Sequence, residues 1–194
     1  MSFVAADDGL RGRLVRAGTD LLGRDGLDGL GLRAITREAG VSHGAPRRYF
    51  PTHRDLLAAV ARSGFDDLLS RFQPIVAGSE DPTDKLTALG IEFVEFAVDR
   101  PAMFELMFRH DPIDGGLVDG APLREVTLPL FAAIVELVDA AVADCDDAAV
   151  RSLALWTNVH GIAVLAANRS VELVAGPVDL RDLIARAVHA HLAV

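Results

Sequence analysis

A single cysteine, Cys145, stands among the 194 residues, so no intrachain disulfide can form and a reducing compartment is the natural setting. Flanked by Asp144 and Asp146, it has no histidine at a telling spacing, which excludes a catalytic thiol. The chain opens MSFVAADDGLRGR, without the basic region and apolar run of a secretory signal. Phosphate-cradling glycine loops and zinc-hydrolase signatures are missing. His189 and His191 do not repair that lack, because residues two apart on a helix point about 200° away from each other and cannot chelate one ion. Internal repeats, heptads sustained past two turns and credible strands are also lacking. No catalytic residue, metal or cofactor is therefore expected, and the chain reads as something other than an enzyme.

Charge is present but unevenly placed. The formal net charge is −9, which by itself disfavours nucleic acid. Residues 1 to 55, however, hold nine arginines against seven acids, and the remainder holds ten basic residues against twenty-one acids. Between Arg33 and Arg54 there are five arginines and one acid, Glu38. An acidic body with a basic head grips a phosphate backbone at one end and repels it elsewhere.

The apolar pattern is helical throughout. Leu10, Leu14, Ala17, Leu21 and Leu22 define a first helix to about Arg24. Leu32, Ile35 and Ala39 share one face of a second, with Arg33 and Arg37 turned away. Gly40 follows, suited to a left-handed turn, and Ser42 is placed to cap a further helix spanning His43 to Phe50. That layout is a helix-turn-helix. Pro46, in the fourth position of its second helix, removes an intrahelical bond and predicts a short or distorted element. Thr52 and Asp55 form an acid variant of the capping box, opening a long helix to about residue 75. The turn residues of Val76–Thr83 mark a boundary. Further helices are expected near 84–99, over PAMFELMF, near 123–143 with Pro129 inside, near 146–168 and near 178–192. The loop RHDPIDGGLVDG is expected to be irregular. Ser152 to Asn168 carries no formal charge, close to the lower limit for spanning a bilayer. Thr157, Asn158, His160 and Gly161 within it favour a helix buried on nearly all sides by protein over a membrane span.

The segment Ala39-Gly40-Val41-Ser42, His43-Gly44-Ala45-Pro46, Arg47-Arg48-Tyr49-Phe50 and Thr52 to Leu57 resembles the DNA-binding segment of the TetR family over roughly residues 10 to 60. It departs at Gly31, where the family usually has Thr or Ser, at Arg47 for Tyr, and at His53 for Lys. The resemblance implies an all-α chain: a disordered N-terminus at 1–9, a helix-turn-helix head at 10–55, and a helical ligand-binding and dimerisation body at 56–194. For base contact it points to His43, Gly44, Ala45 and Arg47. Arg33, Arg37, Arg48, Tyr49 and His53 read as phosphate ligands, with Ser42 at the entry to the recognition helix.

Trp156 and His160-Gly161, together with PAMFELMF, resemble the C-terminal domain of one branch of the family. They imply a pocket drawn from Phe93, Phe96, Met103, Phe104, Met107, Phe108, Phe131, Trp156 and His160. A stripe of this kind at helical spacing is also what plain core looks like. For His160, a hydrogen bond to a neighbouring carbonyl or across a dimer is the favoured account over ligand contact. The expected partners are a double-stranded, palindromic DNA operator, a small and apolar effector, and a second copy of the chain packed through the last two helices, where Gly161 allows close approach. The reading is a cytoplasmic repressor; a head that has lost DNA affinity, on a helical ligand-binding protein or enzyme, is the alternative that Gly31, Pro46 and His53 motivate.

Overall fold

The computed structural model describes residues 9–109, 113, 115–142 and 146–193. The expected disorder at 1–9 falls outside them except for Gly9, as does Cys145. The fold is all-α. Among the described residues its helices are α1 (Leu10–Asp25), α2 (Leu32–Glu38), α3 (His53–Ala77), α4 (Pro82–Asp99), α5 (Pro101–Phe108), α6 (Arg124–Ala141), α7 (Ala148–Ala167), α8 (Ser170–Ala175) and α9 (Leu180–Leu192). Short 3₁₀ turns occupy Leu27–Gly29 and Ala45–Arg48.

The described residues group into two compact units. The first runs to Phe65 and includes Ala102–Glu125; the second comprises Asp66–Pro101 and Val126 onward. This partition departs from the expected one. The turn at 76–83 lies inside the second unit, and α5 with the segment after it joins the head. Specific neighbours explain the latter grouping. Gly64 of α3 faces the thioethers of Met103 and Met107, which would lie 2.7 and 2.6 Å from a Cβ there. A buried Asp55 carboxylate receives the Leu117 N–H at 2.9 Å.

Within the first unit, Leu14, Ala17, Leu21 and Leu22 of α1 are buried, as is Ile35 of α2. Gly18 lets α1 approach α3 so closely that a Cβ would fall 2.6 Å from Val60. The loop after α5 is not wholly irregular. Leu117–Val118 and Ala121–Pro122 pair antiparallel, joined by Asp119 and Gly120 with φ of 54° and 85°. Both residues are left-handed, as the favoured two-residue hairpin turn requires. The Asp-Gly pair is the sequence signal for that hairpin, obscured by the glycines and prolines around it.

In the second unit, α4, α7 and α9 pack together. Asp81 caps α4 by accepting from Thr83 N and Asp84 N, and Asp179 caps α9 by accepting from Arg181 N and Asp182 N. Gly90 brings α4 against Ile184 of α9. The expectation that Ser152–Asn168 is buried all round fails: Leu155, Val159, Ile162 and Ala163 of α7 are buried, but Val150, Leu153, Val164 and Leu165 are exposed. These exposed residues recur at helical spacing and form an open stripe. α7 is long and apolar enough to cross a membrane by composition alone, yet it carries a buried face in the protein core.

Candidate nucleic-acid interface and effector unit

α2 ends in a Schellman motif. Gly40 takes φ 65°, Gly40 N donates to Arg37 O at 3.1 Å, and Val41 N donates to Thr36 O at 3.0 Å. These two bonds satisfy carbonyls left over at the helix end and turn the chain sharply toward the next element. That element is shorter than expected: a 3₁₀ helix over Ala45–Arg48 replaces a helix from His43 to Phe50. Pro46, placed near its start, has no N–H to give and tolerates only a first-turn position. Ser42 does not cap it with its hydroxyl; the Ser42 carbonyl accepts from Ala45 N at 3.0 Å instead.

Around this turn, Arg33, Arg37, Ser42, His43, Gly44, Arg47, Arg48 and Tyr49 are exposed, while Pro46 and Phe50 are buried and anchor the segment. Ala45 is half-buried. The Arg48 guanidinium lies over the Tyr49 ring at 5.9 Å from its centroid, within cation–π range. Glu38, the one acid in the stretch, pairs with Arg24 at 3.3 Å. The local field is therefore set by arginine.

His43 is oriented by α2. Its Nδ1 lies 3.3 Å from Thr36 Oγ1, and that hydroxyl donates to Arg33 O at 3.0 Å. With the hydroxyl proton so used, a bond between the pair takes its proton from Nδ1, and the tautomer that supplies it carries an acceptor at Nε2.

His53, expected among the phosphate ligands, is held elsewhere. It is half-buried, and its Nε2–H donates to Leu30 O at 2.7 Å, tying the first turn of α3 to the segment entering α2. A ring held this way has one donor fewer for phosphate. Next to it the capping box forms as expected, with Thr52 N and Thr52 Oγ1 donating to Asp55 Oδ2 at 2.8 and 2.7 Å, and Asp55 N donating to Thr52 Oγ1 at 3.1 Å. Burial pushes the Asp55 carboxyl up, but the bonds from Leu117 N, the Thr52 hydroxyl and Thr52 N outweigh it and hold the pKa below its ordinary value. Sequence reasoning misses the Leu117 half of this arrangement, since its partner is far off in the chain.

The expected pocket residues fall in both units. In the first, Met103, Phe104 and Met107 are buried, Phe108 meets Phe65 edge to face at 5.6 Å, and Phe104 and Phe108 are 4.9 Å apart. In the second, His160 lies 5.1 Å from the Trp156 ring and 6.0 Å from that of Phe93. Its burial lowers its pKa, which favours the neutral imidazole. Phe96 is fully buried, with the Arg71 guanidinium 5.3 Å from its centroid. Phe131 is half-buried on α6. His189 donates its Nδ1–H to Ala185 O at 2.7 Å. No cluster of three or more His, Cys, Asp or Glu able to hold a metal occurs among the described residues.

Similarity to known proteins decides the family. Residues 14–60 match the family described as bacterial regulatory proteins, tetR family, and residues 86–191 match the tetracyclin repressor-like C-terminal domain. The chain belongs to the TetR family. It is thus a TetR-type regulator in fold, with a DNA-binding helix-turn-helix domain followed by a ligand-binding domain. A solved structure of a protein of unknown function from Rhodococcus sp. RHA1 shares 27% identity, covers 98% of this chain and 97% of its own, and superposes with a TM-score of 0.79. A TetR-like transcriptional regulator from the same organism, 15% identical, gives a TM-score of 0.69 with 98% and 99% coverage. A TetR regulator from Streptomyces coelicolor, 18% identical, gives 0.69 with 93% and 94% coverage. The last two likenesses are of fold alone. No protein of curated function matches the chain in sequence.

Proposed function

We propose that this TetR-family protein is a cytoplasmic, homodimeric repressor that holds a palindromic operator and lets go when a small apolar molecule occupies its C-terminal domain. The observation that carries the reading is the exposed set Arg33, Arg37, Arg47 and Arg48 around a Schellman turn, with the one neighbouring acid, Glu38, turned to Arg24, which it shares with Asp25. Two heads would read half-sites about 34–36 Å apart, or a multiple of that spacing. Arg47 supplies a bidentate donor for guanine, and His43, presenting an acceptor at Nε2, suits the exocyclic amino group of adenine or cytosine. Gly44 contributes its backbone and Ala45 a methyl contact; Arg33, Arg37, Arg48 and Tyr49 set register on phosphates.

For the dimer, support comes from the open stripe on α7 and from Gly161, where a Cβ would meet nothing within 4 Å of the same chain. A twin α7 can approach there, flanked by α9. For the effector, the Trp156, His160 and Phe93 rings offer an apolar, aromatic lining with a neutral imidazole. An effector acts by binding more tightly to the dimer whose head spacing no longer fits both half-sites, and operator affinity falls by that differential.

Fluorescence anisotropy with random duplex across a salt series tests the reading. Binding should weaken steeply with salt, and Arg48→Gln, which removes one phosphate ligand per head and two per dimer, should flatten the log–log slope by about 2. No change in anisotropy even at low salt would favour instead a ligand-binding protein with a degenerate head.

A further inference from the structure

We propose that the head unit carries a ligand site of its own, for a small aliphatic carboxylate, in a cavity of about 370 Å³ between the Leu27–Gly31 segment, the first turns of α3 and the end of α5. The walls are the side chains of Leu27, Leu30, Leu57 and Leu106, and the polar lining is His53 and Arg109. Leu30, Leu57 and Leu106 are buried and hold the floor in place. Four leucines against one imidazole line the cavity, with no Phe, Tyr or Trp, so an alkyl chain is the natural filling.

Charge selects the head group. The Arg109 guanidinium is the permanent positive charge on the lining, and the His53 Nε2–H is already given to Leu30 O. One guanidinium balances one carboxylate, and its planar fork matches that geometry. Arg109 now pairs with Glu105 at 3.0 Å, one turn earlier on its own helix, with both side chains more than half exposed. Such a pair contributes little and yields readily to a ligand that brings its own desolvating chain.

Gly31 borders the space. Its φ of −63° is open to any residue, and a Cβ there would meet nothing within 4 Å. Backbone strain does not demand glycine at this position; the missing side chain simply leaves room. An occupant would touch Leu30 and His53 together, the two residues whose bond joins the entry of α2 to the start of α3. Occupancy would therefore bear on the support of the helix-turn-helix, separately from any effector near Trp156.

Sodium octanoate titrated into the full chain, followed by leucine-methyl NMR, tests this. Saturable shifts are expected at Leu27 and Leu57. Octanol, with the same chain and no charge, should bind about fivefold more weakly, and Arg109→Gln should reduce octanoate affinity by a similar factor. Gly31→Leu should fill the cavity and remove the shifts. Because Arg109 is exposed, its variant keeps the test valid even if the Gly31 variant folds poorly. Octanoate and octanol binding alike, an unchanged affinity in Arg109→Gln, or silent head methyls would overturn the proposal. Shifts confined to residues around Trp156 and His160 would also overturn it, while leaving the effector reading of that unit intact.

Discussion

Replacing Asp55 with Asn probes the carboxylate that holds the start of α3 and the segment after α5 in one unit. Asp55 is 8% exposed and accepts from Thr52 N, Thr52 Oγ1 and Leu117 N at 2.8, 2.7 and 2.9 Å. An asparagine can turn its oxygen to the two Thr52 donors, but its amide N–H₂ then confronts the Leu117 N–H. One charged hydrogen bond disappears and two donors face each other, while the other two bonds weaken from charged to neutral. Removing one bond to a charged group costs about 1.5–3 kcal/mol, so a loss of about 2–3 kcal/mol is expected. In a chain of this length that lowers Tm by about 4–12 °C, measurable by circular dichroism. Thr52→Ala removes the hydroxyl alone and should cost about 1 kcal/mol. The pH dependence has a defined sign. Because the folded pKa lies below the unfolded value near 3.8, this contribution is complete above that value and is lost as pH falls through the folded one. Should Asp55→Asn melt within about 1 °C of the parent and leave the acid limb unchanged, the clamp contributes nothing and the grouping of α5 with the head has another cause.

His43→Ala should leave the salt slope of DNA binding nearly unchanged and relax base preference at one position per half-site, by about 1 kcal/mol of discrimination for a single hydrogen bond, as read by selection from random duplexes. Leu165→Glu places a charge on the open stripe of α7 and should weaken self-association at least about 100-fold in sedimentation velocity, while the monomer keeps its helix content. Burial lowers the His160 pKa, so stability should fall as pH drops below the unfolded value near 6.5, and His160→Gln should flatten Tm between about pH 7.5 and pH 5.5.

The features legible in the sequence have local causes. The Schellman turn at Gly40, the capping box at Thr52 and Asp55, and the helical stripes of α1, α4 and α9 are all written in spacings of a few residues. Those that stay hidden depend on residues far apart in sequence or on backbone choices several types can make. Leu117 N–H finding Asp55 spans 62 residues. Gly64 opposite Met103 and Met107 reads, in the sequence, as one more member of an apolar stripe. The open face of α7 cannot be told from a buried one, because the same uncharged composition serves a core helix and a helix awaiting a twin. The recognition element is intermediate: Pro46 forewarns of a short helix, but no spacing in the sequence specifies the 3₁₀ turn over Ala45–Arg48.

The departures from the family pattern at Gly31 and His53 bear on one another. A histidine ring reaches the Leu30 carbonyl, one residue before Gly31, and is fixed there; the neighbouring glycine adds no side chain, and space remains beside both. Both residues line one cavity wall. This coupling is open to test apart from any ligand. If His53 braces the entry of α2, His53→Ala should weaken DNA binding mainly by loosening that helix, so the loss should appear in hydrogen exchange at Leu32–Ile35 amides and leave the salt slope in place. Removal of a phosphate ligand at His53 would do the reverse, lowering the slope by about 0.9 for each phosphate given up, with exchange at α2 unaltered.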